Sequence, residues 1–270
     1  MKKLIIIIII SFSLFSCTEV VDIPLDNAAQ KIVTEALINW ERDTNGNVQK
    51  IKLKTTANYY SNIIPVVSGA TVTITYSANT VFNFIETQVG EYVCNNFLPV
   101  LNQTYSLKVI TNGKIYITTE TLKPVALIIS ISQKPFDGTM NGKGHIIESL
   151  FLDPEATQDF YLFRYKTSYD IKTNVYVLAD EFFNGLSFFN DTLVEKLKTN
   201  DVVKVTHFGI SRTYFEYLEK LIGVLRSTGG LFSSPPITVR GNIINTTNVE
   251  DFPFGFFALS EIDVKSYTVQ

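Results

Sequence analysis

The feature that most constrains this chain is the alternation of apolar and polar residues in short runs. Lys50-Ile51-Lys52-Leu53-Lys54 places every second side chain on one face, which is the period of a half-buried β-strand and not of a helix. The same period recurs in Val72-Thr73-Ile74-Thr75-Tyr76 and in Tyr105-Ser106-Leu107-Lys108-Val109. The latter run leads into Asn112-Gly113 and then Ile115 and Ile117. Asn and Gly both tolerate positive φ, so this segment predicts a tight hairpin. Residues 32–38, 81–85 and 90–93 read as further strands, giving about seven over roughly 95 residues, the spacing of an antiparallel sandwich.

Lys123-Pro124 reads as a boundary, because Pro removes a donor and restricts its neighbour. The expected organisation is a signal segment over 1–16, a tether over 17–27, a sandwich domain over 28–123 and a β-rich domain over 124–270. In the second half, 126–132, 161–169, 173–178, 202–208, 237–244 and 256–269 read as strands. Residues around Asp137-Gly138, Asn141-Gly142 and Gly144 read as turns. One segment breaks the pattern. Tyr214, Tyr217, Leu218, Leu221, Ile222 and Leu225 share one face of a helix near 212–226, with Thr213 and Glu216 as a capping box and Gly229-Gly230 as its stop. The fold class is therefore mainly β: an immunoglobulin-like antiparallel β-sandwich followed by a β-rich domain with one amphipathic helix. The Cys…Trp…Cys marks of an antibody domain are missing from the sequence.

The N-terminus reads as an address. Lys2 and Lys3 precede an apolar run over 4–15, too short to span a bilayer and suited to a signal peptide. The run closes Leu14-Phe15-Ser16-Cys17, which resembles a bacterial lipobox; that resemblance implies acylation of Cys17 and removal of the residues before it. The expectation is a protein held to a membrane through its N-terminal lipid. Cys94 would then be the one unmodified cysteine, without a disulfide partner, and its apolar setting predicts a small buried hydrophobe.

Chemistry is sparse. The net charge of −3 gives no reason to expect nucleic acid as a partner. His145 and His207 stand in no ligand spacing, so no metal or other cofactor is expected, and each reads as a surface or hydrogen-bonded residue. Glu148, Asp153, Glu155, Asp180 and Glu181 read as solvated surface carboxylates rather than a glycosidase pair. The least ordinary feature is aromatic. Phe182, Phe183, Phe188 and Phe189 bracket Asn184-Gly185, and Phe252 and Phe254 crowd a second turn. Core and hairpin packing is the plainer account. The functional alternative is an apolar binding patch, for which Phe182 and Phe252 are best placed.

Several segments resemble one known family: the lipobox start, Lys31-Ile32-Val33-Thr34-Glu35-Ala36-Leu37-Ile38, Val67-Ser68-Gly69-Ala70-Thr71-Val72, Asn200-Asp201-Val202-Val203-Lys204-Val205, and Arg240-Gly241-Asn242-Ile243 with Gly255-Phe256-Phe257-Ala258. Together they are similar to the DUF4249-type lipoproteins of the Bacteroidetes, a family of unknown function. The resemblance implies an outer-membrane lipoprotein on the cell-surface or periplasmic face. It also implies an accessory role beside a TonB-dependent receptor in nutrient uptake. A surface adhesion or assembly lipoprotein is the alternative, and a hydrolase with a dispersed site ranks behind both.

Overall fold

The computed structural model describes residues 28–76, 80–138, 142–168, 173–195, 197–226 and 238–270. The signal segment, Cys17, the tether, the turn at Asn141 and the Gly229-Gly230 stop lie outside them.

Seven strands build the first sandwich: β1 (Ile32–Glu41), β2 (Gln49–Thr55), β3 (Thr71–Tyr76), β4 (Thr80–Gln88), β5 (Glu91–Cys94), β6 (Thr104–Thr111) and β7 (Lys114–Thr121). β1, β2 and β5 form one sheet, and β3, β6 and β7 the other. β4 passes between them, its first half pairing with β3 and its second with β5. The alternating residues behave as their period requires. Ile51, Leu53, Ile74, Leu107 and Val109 face one buried core, while Lys50, Lys52 and Lys108 face outward. The expected hairpin joins β6 to β7, with Asn112 and Gly113 at φ 49° and 72°. Two tyrosines in the core keep their hydroxyls satisfied. Tyr92 donates to the Val67 carbonyl and accepts from the Ala70 N–H; Tyr105 donates to the Leu98 carbonyl and accepts from the Val100 N–H.

The second unit is also a sandwich. β8 (Ile128–Gly138), β9 (Gly142–Leu152) and β12 (Ser187–Glu195) form a three-stranded sheet. It faces β10 (Phe160–Thr167), β11 (Asn174–Ala179), β13 (Val202–Ile210) and the end of β15 (Phe254–Thr268) across a core of Phe151, Tyr161, Phe163, Val203 and Val205. Helix α1 (Arg212–Arg226) covers the opposite face of that second sheet, where Tyr214 and Leu218 meet Leu162, Phe208 and Phe256. Its cap differs from the expected box. Ser211 is the cap, its Oγ accepting from the Tyr214 N–H, and Glu216 pairs instead with Arg212.

Two strands break the sequence expectation. β9 begins in the glycine-rich stretch read as turns, and β12 carries Asn190 and Asp191 in its middle. Asn190 is tolerated because its amide donates to the buried Tyr165 hydroxyl, which in turn donates to the Asn190 carbonyl. The 237–244 strand shrinks to β14 (Ile244–Asn245), which pairs with β7.

One strand crosses the boundary expected at residue 123. The first part of β15 pairs in parallel with β1, from Val33 opposite Phe254 to Glu41 opposite Ile262. Its remainder pairs antiparallel with β13. One C-terminal strand thus belongs to both sandwiches. Gly255 makes the parallel approach possible. It sits at φ 92°, and a Cβ there would lie 2.0 Å from the Thr34 carbonyl oxygen. The connector is strapped along the same strand. The Val125 N–H donates to Glu261, and the Ile128 N–H to Asp263.

Candidate functional site

The six phenylalanines of the candidate patch separate into three settings. Phe183 and Phe188 stack on each other at 4.1 Å, each meets Phe151 edge to face, and both pack in the second core. Phe183 is buried and Phe188 half-buried, so core packing accounts for both. Phe182 ends a single 3-10 turn, Asp180–Phe182, and is 93% exposed. Phe189 faces outward from β12, directly opposite Leu150 of β9, and is half exposed. Leu152 and Leu186 are exposed beside them, joined through the Asp153 N–H to Leu186 carbonyl bond. Together these four exposed apolar side chains, on the turn after β11 and at the adjoining β9–β12 end of the three-stranded sheet, make up a candidate platform.

Phe252 and Phe254 lie elsewhere, at the end of the first sandwich where β1 starts. They meet edge to face at 5.5 Å and line a cleft of about 350 Å³ with Lys31, Thr56, Tyr59 and Tyr60. Two cations sit on the Phe252 ring, Lys31 Nζ at 3.9 Å and Arg240 Cζ at 3.6 Å from its centre. Asp251 accepts from Lys114 at 2.6 Å and pairs with Lys31 at 3.4 Å. Lys114, more than Lys31, holds the Asp251 carboxyl below the usual range. Lys31 and Lys114 are therefore largely committed to Asp251. No pattern in the sequence brings residue 31 to residue 252; the parallel β1–β15 register does.

A third feature is a groove of about 760 Å³ over β6 and β7, lined by hydroxyls including Ser106, Thr119, Thr121 and Thr213. Its deepest charge is the buried Glu120. One Glu120 oxygen accepts from Ser211 and Thr213, and the other from the Thr121 N–H. So engaged, this carboxylate ties helix α1 to the first sandwich and has no free oxygen poised as a base. The groove itself offers hydrogen bonds rather than a nucleophile.

Two of the five acidic residues, Asp153 and Asp180, correct the sequence reading, while Glu155 and Glu181 are exposed as expected. Asp153 and Asp180 are buried, and with Asp159 they bring carboxylate oxygens within 4.8 Å of one another. Each buried group already accepts protein donors. Asp153 takes the Tyr161 hydroxyl and the Gly185 N–H, and Asp180 takes the Asp159 N–H. Burial, then repulsion from Asp153 and Asp180, raises the Asp159 carboxyl against the pull of Thr157. Three carboxylates at this spacing suit a hard cation, but their present partners also account for the arrangement as a loop clasp.

His207 was expected to be solvated or bonded, and it is neither. It is fully buried, stacked 3.9 Å from Phe163 and flanked by Phe151 and Tyr161. Neither ring nitrogen has a hydrogen-bond partner. Burial holds the imidazole neutral, with its pKa down to about 3, against a weak opposing interaction with the Ala126 backbone. Such a ring has no serine or carboxylate to work with. Cys94 is buried as expected, and burial pushes its thiol up. No helix among the described residues is long and apolar enough to cross a membrane.

A family model described as "Domain of unknown function (DUF4249)" matches residues 18–266. The chain belongs to the DUF4249 family. The match takes in both sandwiches and nearly all of the shared strand, so the two units are one family unit. No curated protein matches this DUF4249 chain. Among solved structures it is similar to two chains described as a cytokine receptor complex. They are 6% and 7% identical, with 69% of this chain covered, 86% and 92% of theirs, and a TM-score of 0.24 each. It is also similar to a two-domain fibronectin type III segment from chicken tenascin, 13% identical, covering 59% of this chain and 83% of that one at a TM-score of 0.22. Superpositions this loose carry no functional argument.

Proposed function

We propose that this protein is an outer-membrane lipoprotein, anchored through Cys17, that works as a binding accessory of a TonB-dependent receptor in nutrient uptake. The observation that supports this most is the platform of Leu152, Phe182, Leu186 and Phe189, because large apolar side chains clustered on a soluble surface usually mark an interaction site. Burying each contributes roughly 1.5–3 kcal/mol, so four contribute about 6–12 kcal/mol before the cost of association. That surplus suits docking to a receptor confined to the same membrane, where the effective concentration is high, better than capture of a dilute soluble partner. The sealed imidazole of His207 and the engaged carboxylates of Glu120 and Asp153 favour binding over hydrolysis.

The test is a photo-crosslinking amino acid placed at Phe182 or Phe189 in native envelopes, with exposed Lys204 as control. Adducts with a β-barrel receptor are expected from the two phenylalanine positions and not from Lys204. Equal expression with no barrel adduct from either phenylalanine position overturns the proposal.

A further inference from the structure

We infer that the end of the first sandwich from which the chain emerges is a lipid-contact face, the tips of its loops resting in the membrane interface. This rests on the anchored reading above and adds an orientation to it. The described chain starts at Ala28, in the cleft that Tyr59, Tyr60 and Phe252 also line. Eleven backbone steps separate Ala28 from Cys17, a reach of at most about 40 Å when fully extended. A lipid on Cys17 would therefore keep this end within about 40 Å of the bilayer.

The same end carries an unusual set of exposed side chains. Tyr59 is 83% exposed and Ile63 76%, with Tyr60, Ile64, Val89 and Val249 also projecting from its loops. Their shared location follows from the register. The Thr56 N–H donates to the Lys31 carbonyl, so the loop after β2 begins at the start of β1. Val89 precedes Gly90, whose N–H donates to Glu86 and whose α-carbon packs on Val66 of that loop. Val249 lies two residues from Asp251, which holds Lys31 and Lys114.

Internal bonds hold the loop in place. The Ser61 N–H donates to the Asn58 carbonyl, the Ser61 Oγ donates to the Ile63 carbonyl, and the Ile63 N–H donates back to that Oγ. The two tyrosines meet edge to face at 5.1 Å. Aliphatic tips with amphipathic aromatic rings beside them match the composition that side chains take at a bilayer surface. Arg240, exposed on the Phe252 ring, sits just behind them, where lipid phosphates would lie.

The experiment uses the full-length protein, reconstituted into vesicles of phosphatidylethanolamine with a minor fraction of phosphatidylglycerol. A nitroxide is attached at Ile63→Cys, Val249→Cys or Leu98→Cys, each in a Cys94→Ala background; Leu98 lies at the opposite end of the sandwich. Labels at positions 63 and 249 should gain oxygen access relative to a water-soluble nickel chelate by about tenfold on reconstitution, and the label at 98 should not change. Labels at 63 and 249 that stay fully water-exposed, in protein whose N-terminal peptide carries the lipid by mass spectrometry, overturn the lipid face and leave the anchor standing. If Cys17 proves unmodified, the anchor fails, and flotation of the protein with the same vesicles decides the face by itself. Flotation lost about tenfold on replacing Tyr59, Ile63 and Ile64 by Ser supports it, and wild-type protein that does not float overturns it.

Discussion

His207 makes the stability of this protein depend on pH in a way that one substitution should remove. In the fold the imidazole is enclosed by Phe151, Tyr161 and Phe163 with no partner at either nitrogen. Its pKa falls from an ordinary 6.5 to about 3 because burial penalises the cation. The unfolded chain therefore binds a proton that the folded chain refuses throughout that window. Stability from this group is complete above the unfolded value and is lost as pH falls from about 6.5 towards about 3, at roughly 1.4 kcal/mol per pH unit. Between about pH 7 and about pH 5 the loss comes to about 2 kcal/mol. His207→Leu has nearly the same volume and nothing to protonate, so the variant should lack that slope. At neutral pH it gives up the ring stacking on Phe163, worth about 1 kcal/mol, and removes two unpartnered polar atoms, so it should unfold no more easily than wild type. Urea titrations of both proteins at matched pH values isolate the group, because every other carboxylate and imidazole titrates in both. A wild-type-minus-variant difference that stays flat from neutral pH to about pH 5 would mean that this ring is not buried in its neutral form.

Asp159→Asn should act in the opposite sense. Its carboxyl is raised in the fold, so stability from this group is present below the ordinary carboxylate range and is lost as pH rises through the raised value. The variant should melt higher at neutral pH, by under about 1 kcal/mol after solvent screening, and the gain should vanish in acid. Gly255→Ala forces a Cβ into the Thr34 carbonyl at a positive φ; a loss of about 3 kcal/mol or more in chemical denaturation is expected, with the two sandwiches affected together. Glu120→Ala leaves the Ser211 and Thr213 hydroxyls without their acceptor and should cost roughly 2 kcal/mol. Faster amide exchange in the first turn of α1 is the readout for that change.

How much of this was legible in the sequence depended on how local the cause was. The β2, β3 and β6 strands declare themselves because one face is core and the other water, so the side chains alternate. Asn112-Gly113 declares a turn because its backbone requirement is met within two residues. β9 and β12 do not declare themselves, since glycines open one and Asn190-Asp191 interrupts the other. What makes them strands is a partner such as Tyr165, 25 residues from Asn190. The parallel pairing of β1 with β15 has no local signature at all, and it alone brings Lys31 to Phe252. The phenylalanines show the same limit. Phe182 and Phe183 are adjacent in sequence, yet one points to water and the other into the Phe151 core, because the chain turns between them.

The shared strand also fixes the geometry in which the two proposed surfaces would act. Phe254 marks the lipid-facing end, and Ile210, two residues past the Phe208–Ile262 pair, is level with Ser260. The Phe160–Ala179 pair lies beside Ile210, so the turn carrying Phe182 begins near that same level. Six residues of strand at about 3.3 Å each place the start of the turn carrying Phe182 roughly 20 Å from the level of Phe254 when β15 stands upright. The Glu261 and Asp263 carboxylates, which hold the connector's N–H groups, resist a change in the angle between the sandwiches. A flexible hinge would let the platform sweep through every height. This construction instead holds it at one, so a receptor contact made through Phe182 should be lost by lengthening the protein between Cys17 and Ala28 only if the loop tips leave the membrane as well.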